Sequence, residues 1–173
     1  MARICVQTED FNIGAEFAAL TAGRADIGGI GCFVGTVRAS PPDQRPITAM
    51  SLEHYPGMTQ RALERIAQEA ESRWNLLGCT VIHRYGRLEL GANIVLVIAA
   101  SAHRQAALDA TSFLIDWLKT KAPFWKQEHF QDGTDHWVAA KTTDDAAAAR
   151  SVVPPLPHSP GSARPQGRYG KRT

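Results

Sequence analysis

Cysteine is scarce in this 173-residue chain, and the three present, Cys5, Cys32 and Cys79, stand far apart with no C-x-x-C pair. An odd, scattered set excludes a disulfide framework, and no His/Cys/Asp/Glu spacing resembles a zinc or iron site. Each cysteine lies in an apolar, strand-like context, which predicts buried, inert thiols rather than a nucleophile. Long hydrophobic runs are missing as well. The longest, Ile94 to Ala102, is far short of a membrane span. Glu9 and Asp10 arrive too early for a secretion signal, so a cytoplasmic protein with no membrane partner is predicted. No Gly-Lys-Ser/Thr follows the glycines of 27–38, no G-x-G-x-x-G opens a helix, and no G-x-S-x-G elbow occurs. These absences exclude the common phosphate-loop, dinucleotide and serine-hydrolase signatures.

Acidic residues are missing from Arg150 onward, where five of the nineteen basic residues lie (Arg150, Arg164, Arg168, Lys171, Arg172). The fourteen that remain face all seventeen acidic residues, so the body is net negative although the formal charge of the chain is +2. The basicity belongs to the tail, and no nucleic-acid partner is predicted for the body. The tail is rich in Pro, Gly, Ser and Arg and has no bulky aliphatic residue beyond Leu156. It cannot bury enough apolar surface to offset its ordering entropy. The expected organisation is therefore one domain, 1–149, followed by a disordered tail, 150–173.

The body mixes strand and helix signals without a regular βαβα repeat, which predicts an α+β fold. A short strand over 2–7 precedes a helix capped by Asn12 and ending near Gly23. The glycine-rich stretch 27–38 reads as a strand in which Gly28, Gly29, Gly31 and Gly35 mark a bulge or a close approach by another backbone or a ligand. A Pro-rich, mobile loop is expected over 39–46, then a strand over 47–55. The spacing of Leu63, Ile66, Ala67, Ala70 and Trp74 predicts a helix from about Met58 to Leu77, stopped by Gly78. Strands 79–90 and 93–101 read as a hairpin joined at Gly91-Ala92. A helix from Arg104 to about Thr120 ends before Pro123, and a last hairpin turns at Asp132-Gly133.

Function is concentrated between Ser101 and Trp137. Ser101, His103 and Arg104 fall where an apolar strand yields to a helix, a place attractive to anions, although a simple cap and a surface arginine would read the same. Lys119 and Lys121 occupy the last turn of that helix, where the helix dipole alone favours cations. The dipole does not account for Lys126, which lies beyond Pro123. The proline bend turns 124–130 back toward the helix end, so Lys119 and Lys126 are expected to face one space. Close ammonium groups there would lower one another's pKa toward the range useful for proton transfer. Arg38, ending the glycine-rich strand, reads as either a surface charge or an anion clamp.

The segments FVGTVR (33–38), LEHYPGM (52–58), RYGRLELG (84–91), IAASAHR (98–104) and LKTKAPFWKQE (118–128) together resemble the large, catalytic subunit of molybdopterin synthase, in that family's order and spacing over about residues 3–145. The resemblance implies an α/β-hammerhead fold with a mixed or antiparallel sheet, packed helices and a small C-terminal hairpin. It implies a homodimer that binds two small ubiquitin-like sulfur carriers, giving a heterotetramer. The carrier's C-terminal Gly-Gly thiocarboxylate would donate sulfur to cyclic pyranopterin monophosphate, forming the dithiolene of molybdopterin, with no metal or cofactor held by the enzyme. By the same resemblance Lys119 and Lys126 are catalytic. Arg38, His103 and Arg104 bind substrate, with Arg38 offered across the dimer, and Phe33 and Pro123 shape the pocket. The glycine-rich strand would then let the carrier's tail pass close to the backbone. Lys121 has no counterpart the motif requires, Gln127 stands where a lysine is frequent, and Lys141 is left without a role. The competing reading is a non-catalytic scaffold that binds a ubiquitin-like partner through the same lysines.

Overall fold

The computed structural model describes residues 2–138; the tail and Lys141 lie outside the described residues. The chain runs β1 (Arg3–Gln7), α1 (Ile13–Thr21), β2 (Gly29–Thr36), β3 (Ile47–His54), α2 (Pro56–Trp74), β4 (Gly78–Arg84), β5 (Gly86–Glu89), β6 (Asn93–Ser101), α3 (Arg104–Thr120), β7 (Phe124–Phe130) and β8 (Asp135–Val138). Two four-stranded sheets result. The first is mixed, in the order β1-β4-β6-β2, with β1 parallel to β4; the second is antiparallel, in the order β5-β3-β7-β8. No helix among the described residues is long and apolar enough to cross a membrane.

The first sheet is buried on both faces, which is why β6 reads as an unbroken apolar run. Alternate residues separate two cores. Val81, Val95, Val97 and Ala99 pack beneath α2 and α3, with Leu63, Ala67, Ala70, Leu114 and Leu118 above them. Trp74 of α2 meets Phe113 of α3 at 5.0 Å between ring centroids and joins the two helices. On the reverse face, Ile82, Leu96 and Ile98 meet Leu20 of α1 and Phe11, which precedes the helix. Asn12 caps α1 as the sequence predicts, its side-chain oxygen accepting from the Ala15 N–H at 2.9 Å.

The glycines of β2 have a definite use. A Cβ on Gly31 would lie 2.2 Å from Thr111 Oγ1 and 2.7 Å from the Ala107 carbonyl oxygen, and one on Gly28, just before the strand, would lie 2.1 Å from the Ala102 oxygen. The backbone that comes close is α3 and its entry turn, not a ligand tail; of the strand's glycines only Gly35 reaches the cavity described below. At Gly28, Gly29 and Gly31 the expected close approach is therefore made by α3 and its entry turn, and Gly35 alone of these glycines lines the cavity with Arg38.

Other expectations change too. The predicted strand 79–90 is two strands in two sheets: β4 ends at Arg84, and Gly86, at φ +83°, turns the chain into β5 beside β3. Helix α2 stops at Asn75 in the left-handed conformation rather than at Gly78, which already begins β4. Ser101 is a buried strand residue and caps nothing; α3 starts after His103 without a side-chain cap. The loop 39–46 is tied down rather than loose: Arg45 pairs with Asp132, stacks 4.0 Å over Phe130, and Pro46 accepts from the Gln131 N–H. Of the cysteines only Cys79 is buried, its thiol pushed up to about 12 by burial; Cys5 is half-buried and Cys32 exposed on the edge strand.

Candidate active site

Helix α3 runs along β2 and ends where the two sheets meet. Lys121 closes its last turn, its N–H and that of Ala122 both returning to the Trp117 carbonyl. Pro123 cannot extend a helix, and the chain re-enters the second sheet as β7. This bend creates a cavity of about 580 Å³, within the range of small-molecule sites. Phe33, Gly35 and Arg38 line it from the β2 side, Met50 and Leu52 from β3, His83 from β4, Val95 from β6, Ile115 and Lys119 from α3, and Phe124 and Lys126 from β7.

Four expected residues thus converge: Lys119, Lys126, Arg38 and Phe33 share one cavity. Pro123 shapes it without lining it, through its neighbours Ala122 and Phe124, and its carbonyl accepts from Thr59 Oγ1 at 3.4 Å. His103 and Arg104 are exposed at the other end of α3, about 22 Å away for a helix rising 1.5 Å per residue. Within a single chain they do not share the cavity, which corrects that part of the expectation. Arg38 lines the cavity of its own chain, so no dimer is needed to deliver it.

The electrostatics also differ from the expectation. Lys126 Nζ sits 2.8 Å from Glu128 Oε1, so the charge in contact with it is negative and comes from its own strand face rather than from a second ammonium. Arginine and lysine present only donors, so the cavity concentrates positive charge and N–H groups. Among the described residues, no group of three His, Cys, Asp or Glu side chains is placed to hold a metal.

Sequence reasoning passed over His83. Strand alternation puts it on the same face as Val81, and its partner across the ladder is Val95, another wall residue. It is 7% exposed and stacks on Phe124 at 3.9 Å and 16°. Its Nδ1 lies 2.9 Å from the Arg84 carbonyl oxygen; a carbonyl only accepts, so Nδ1 carries the proton. Burial lowers its pKa to about 4, the nearby His54 adding to the effect. The only available signal was period-two alternation, and that same alternation is read first as burial.

A second polar network lies on the outer face of the second sheet. Ser51 Oγ is 2.7 Å from His129 Nε2, and His129 Nδ1 is 2.6 Å from Asp135 Oδ1. The atoms match a serine–histidine–aspartate relay. However, Ser51 sits on β3, which is paired on both sides, and among the described residues β3 offers no free pair of backbone N–H groups there for an oxyanion. It also faces away from the cavity, which Met50 and Leu52 line. The network clamps β3, β7 and β8 together.

Fold and cavity define an α+β protein with a pocket walled by aromatic side chains and lined by Arg38, Lys119 and Lys126. Residues 6–121 match the family described as MoaE protein, and the chain belongs to that family. It is 55% identical over 146 residues to the molybdopterin synthase catalytic subunit of Mesorhizobium japonicum, covering 84% of this chain and 90% of that one. Among solved structures, the molybdopterin biosynthesis MoaE protein of Burkholderia ambifaria superposes with a TM-score of 0.73 at 50% identity, covering 88% of this chain and 99% of the other. A chain from the complex of subunits 1 and 2 of the Helicobacter pylori molybdopterin-converting factor has the same fold, with a TM-score of 0.62 at 20% identity over 82% of this chain and 90% of that one.

Proposed function

We propose that this chain is the catalytic subunit of a molybdopterin synthase. It takes sulfur from the C-terminal thiocarboxylate of a small ubiquitin-like carrier and passes it, in two rounds, to cyclic pyranopterin monophosphate to form the dithiolene. The observation that carries this reading is the convergence of Arg38, Lys119 and Lys126 on one cavity in a body whose net charge is negative. Both reactants are anions, one a phosphate ester and the other a thiocarboxylate, and the guanidinium and ammonium groups bind and align them. Lys119 stabilises the charge that develops on the acyl oxygen and sulfur as the bonds change. An entering anion competes with Glu128 for Lys126, so binding replaces one carboxylate with another acceptor instead of stripping a bare charge. The reaction runs in the cytoplasm on the domain 1–149.

His103 and Arg104 join this site from a second copy of the chain. β2 is an edge strand of the first sheet, with its Gly29 end beside Ser101 and its Thr36 end leading to Arg38. A two-fold axis near the middle of β2 sets the partner's Gly29 end, with its helix start, against this chain's Arg38 and Lys119. Each cavity then holds cations from both copies, with one carrier at each, as a heterotetramer.

The test combines the purified protein, a thiocarboxylated carrier and the cyclic pterin, and measures dithiolene formation. Lys119→Ala is expected to keep carrier binding and lose about 10²–10³-fold in rate; a variant as active as the wild type would remove Lys119 from the catalysis, and a wild type that binds carrier but makes no dithiolene would leave only a scaffold. Mixed dimers of Lys119→Ala and Arg104→Ala chains are expected to regain activity that neither variant has alone. No recovery on mixing would place His103 and Arg104 outside the site.

A further inference from the structure

We infer that His83 accepts the proton of the water that breaks the acyl–sulfur bond in this cavity, a catalytic residue additional to the lysines. The inference rests on the sulfur-transfer reading above. When the thiocarboxylate sulfur bonds to a pterin carbon, a C–O bond of that carbon breaks and the oxygen substituent leaves as water or as the freed phosphate ester oxygen; the carrier's terminal carbonyl remains attached to the sulfur as a thioester, which must be opened before the next carrier can enter. Water attacks the acyl carbon, a C–O bond forms and the C–S bond breaks. The electron pair stays on sulfur as the pterin thiolate. One proton of the water passes to His83 Nε2, the second leaves the new carboxylic acid for solvent, and the carrier departs as its carboxylate. No oxidant or reductant is required.

This step needs a base, and the cavity wall offers few. Arg38, Lys119 and Lys126 have donors and no acceptor, and Thr36 contributes only a hydroxyl. Among the described residues, His83 is the one wall residue able to take a proton as a neutral base. Its tautomer is set for that task, because Nδ1–H donates to the Arg84 carbonyl and leaves the lone pair on Nε2. Nε2 has no hydrogen-bond partner among the described residues. The stack on Phe124 holds the ring plane, and Phe124 stands two residues before Lys126 on the same face of β7, so base and ammonium are carried by touching side chains and one strand. Burial keeps the ring neutral at physiological pH. An imidazole whose Nδ1–H is held by an acceptor while Nε2 receives a proton is the arrangement of hydrolytic histidines generally, with a carbonyl here in place of a carboxylate.

The experiment uses the full-length protein with thiocarboxylated carrier and cyclic pterin, quenched in acid and read by intact mass. His83→Asn keeps an N–H for the Arg84 carbonyl and removes the base. In H83N the carrier–pterin thioester is expected to accumulate as a hydroxylamine-sensitive adduct, while dithiolene formation falls about 10²–10⁴-fold; added imidazole is expected to restore release in His83→Ala. If H83N unfolds early, His83→Gln, which keeps more of the ring's volume, is read in the same way. A folded variant that makes product at the wild-type rate, or that loses product without any adduct, overturns the assignment. The two readings fail differently: a wild type that yields neither adduct nor product sinks the sulfur-transfer reading itself, whereas an active wild type beside an equally active H83N removes only His83.

Discussion

The two sheets use similar strand lengths for opposite purposes. The first is sealed on both faces by helices, its central strand β6 buried along most of its length, and its glycines admit α3 at a separation no side chain would allow. The second has one face toward the cavity and the other toward solvent, where Trp125 and Trp137 are exposed and Arg87, Glu89 and Asp135 make surface contacts. Stability therefore resides in the first sheet. The chemistry proposed above falls to side chains where the first sheet, the end of α3 and the second sheet meet. A reactive lysine is easier to place there than inside a close-packed layer, because a buried charge needs compensation that an open cavity edge supplies as water.

Three measurements would sharpen or break this contrast. The largest stability effect is expected from Leu96→Ala, at a fully buried position on the reverse face of the first sheet. It should destabilise by about 2–5 kcal/mol in denaturant unfolding, and a loss under 1 kcal/mol would mean that face is not a core. Next comes pH. The folded-state pKa of His83 lies below its ordinary value of about 6.5, so the unfolded chain takes up the proton first. Its contribution is complete above about pH 6.5 and lost as pH falls toward 4, by up to about 3 kcal/mol. H83N should flatten that decline, and an unchanged pH profile would mean the ring is not buried neutral. The smallest effect is expected from Asp135→Ala in the second-sheet clamp, about 0.2–1 kcal/mol with dithiolene formation unchanged. A large loss of activity there would show that the outer face does more than join strands.

Much of the fold was legible because local signals agreed with the tertiary outcome. Asn12 caps α1, α3 spans the predicted Arg104–Thr120, and Gly133 turns the last hairpin. Residues 79–90 were misread because an apolar alternating run has the same period whichever sheet its partners belong to; the break at Gly86 depends on β3 waiting alongside. Lys119 and Lys126 share the cavity as expected because a proline bend is a local feature that joins near neighbours. His83 was passed over because its setting depends on Phe124, forty-one positions away, and on a carbonyl that fixes its tautomer.

The order of helices and strands, the negative body and the pairing of two lysines around Pro123 are properties of the chain itself, set by side-chain periodicity and by a ring that cannot donate a backbone hydrogen bond. Only the tertiary structure decided which cations share a cavity and which stand at the far end of α3. The same packing placed a neutral imidazole among the donors and gave the glycines of β2 to a helix instead of a ligand. Such decisions concern distances between residues remote in sequence, and those distances follow from how the layers close.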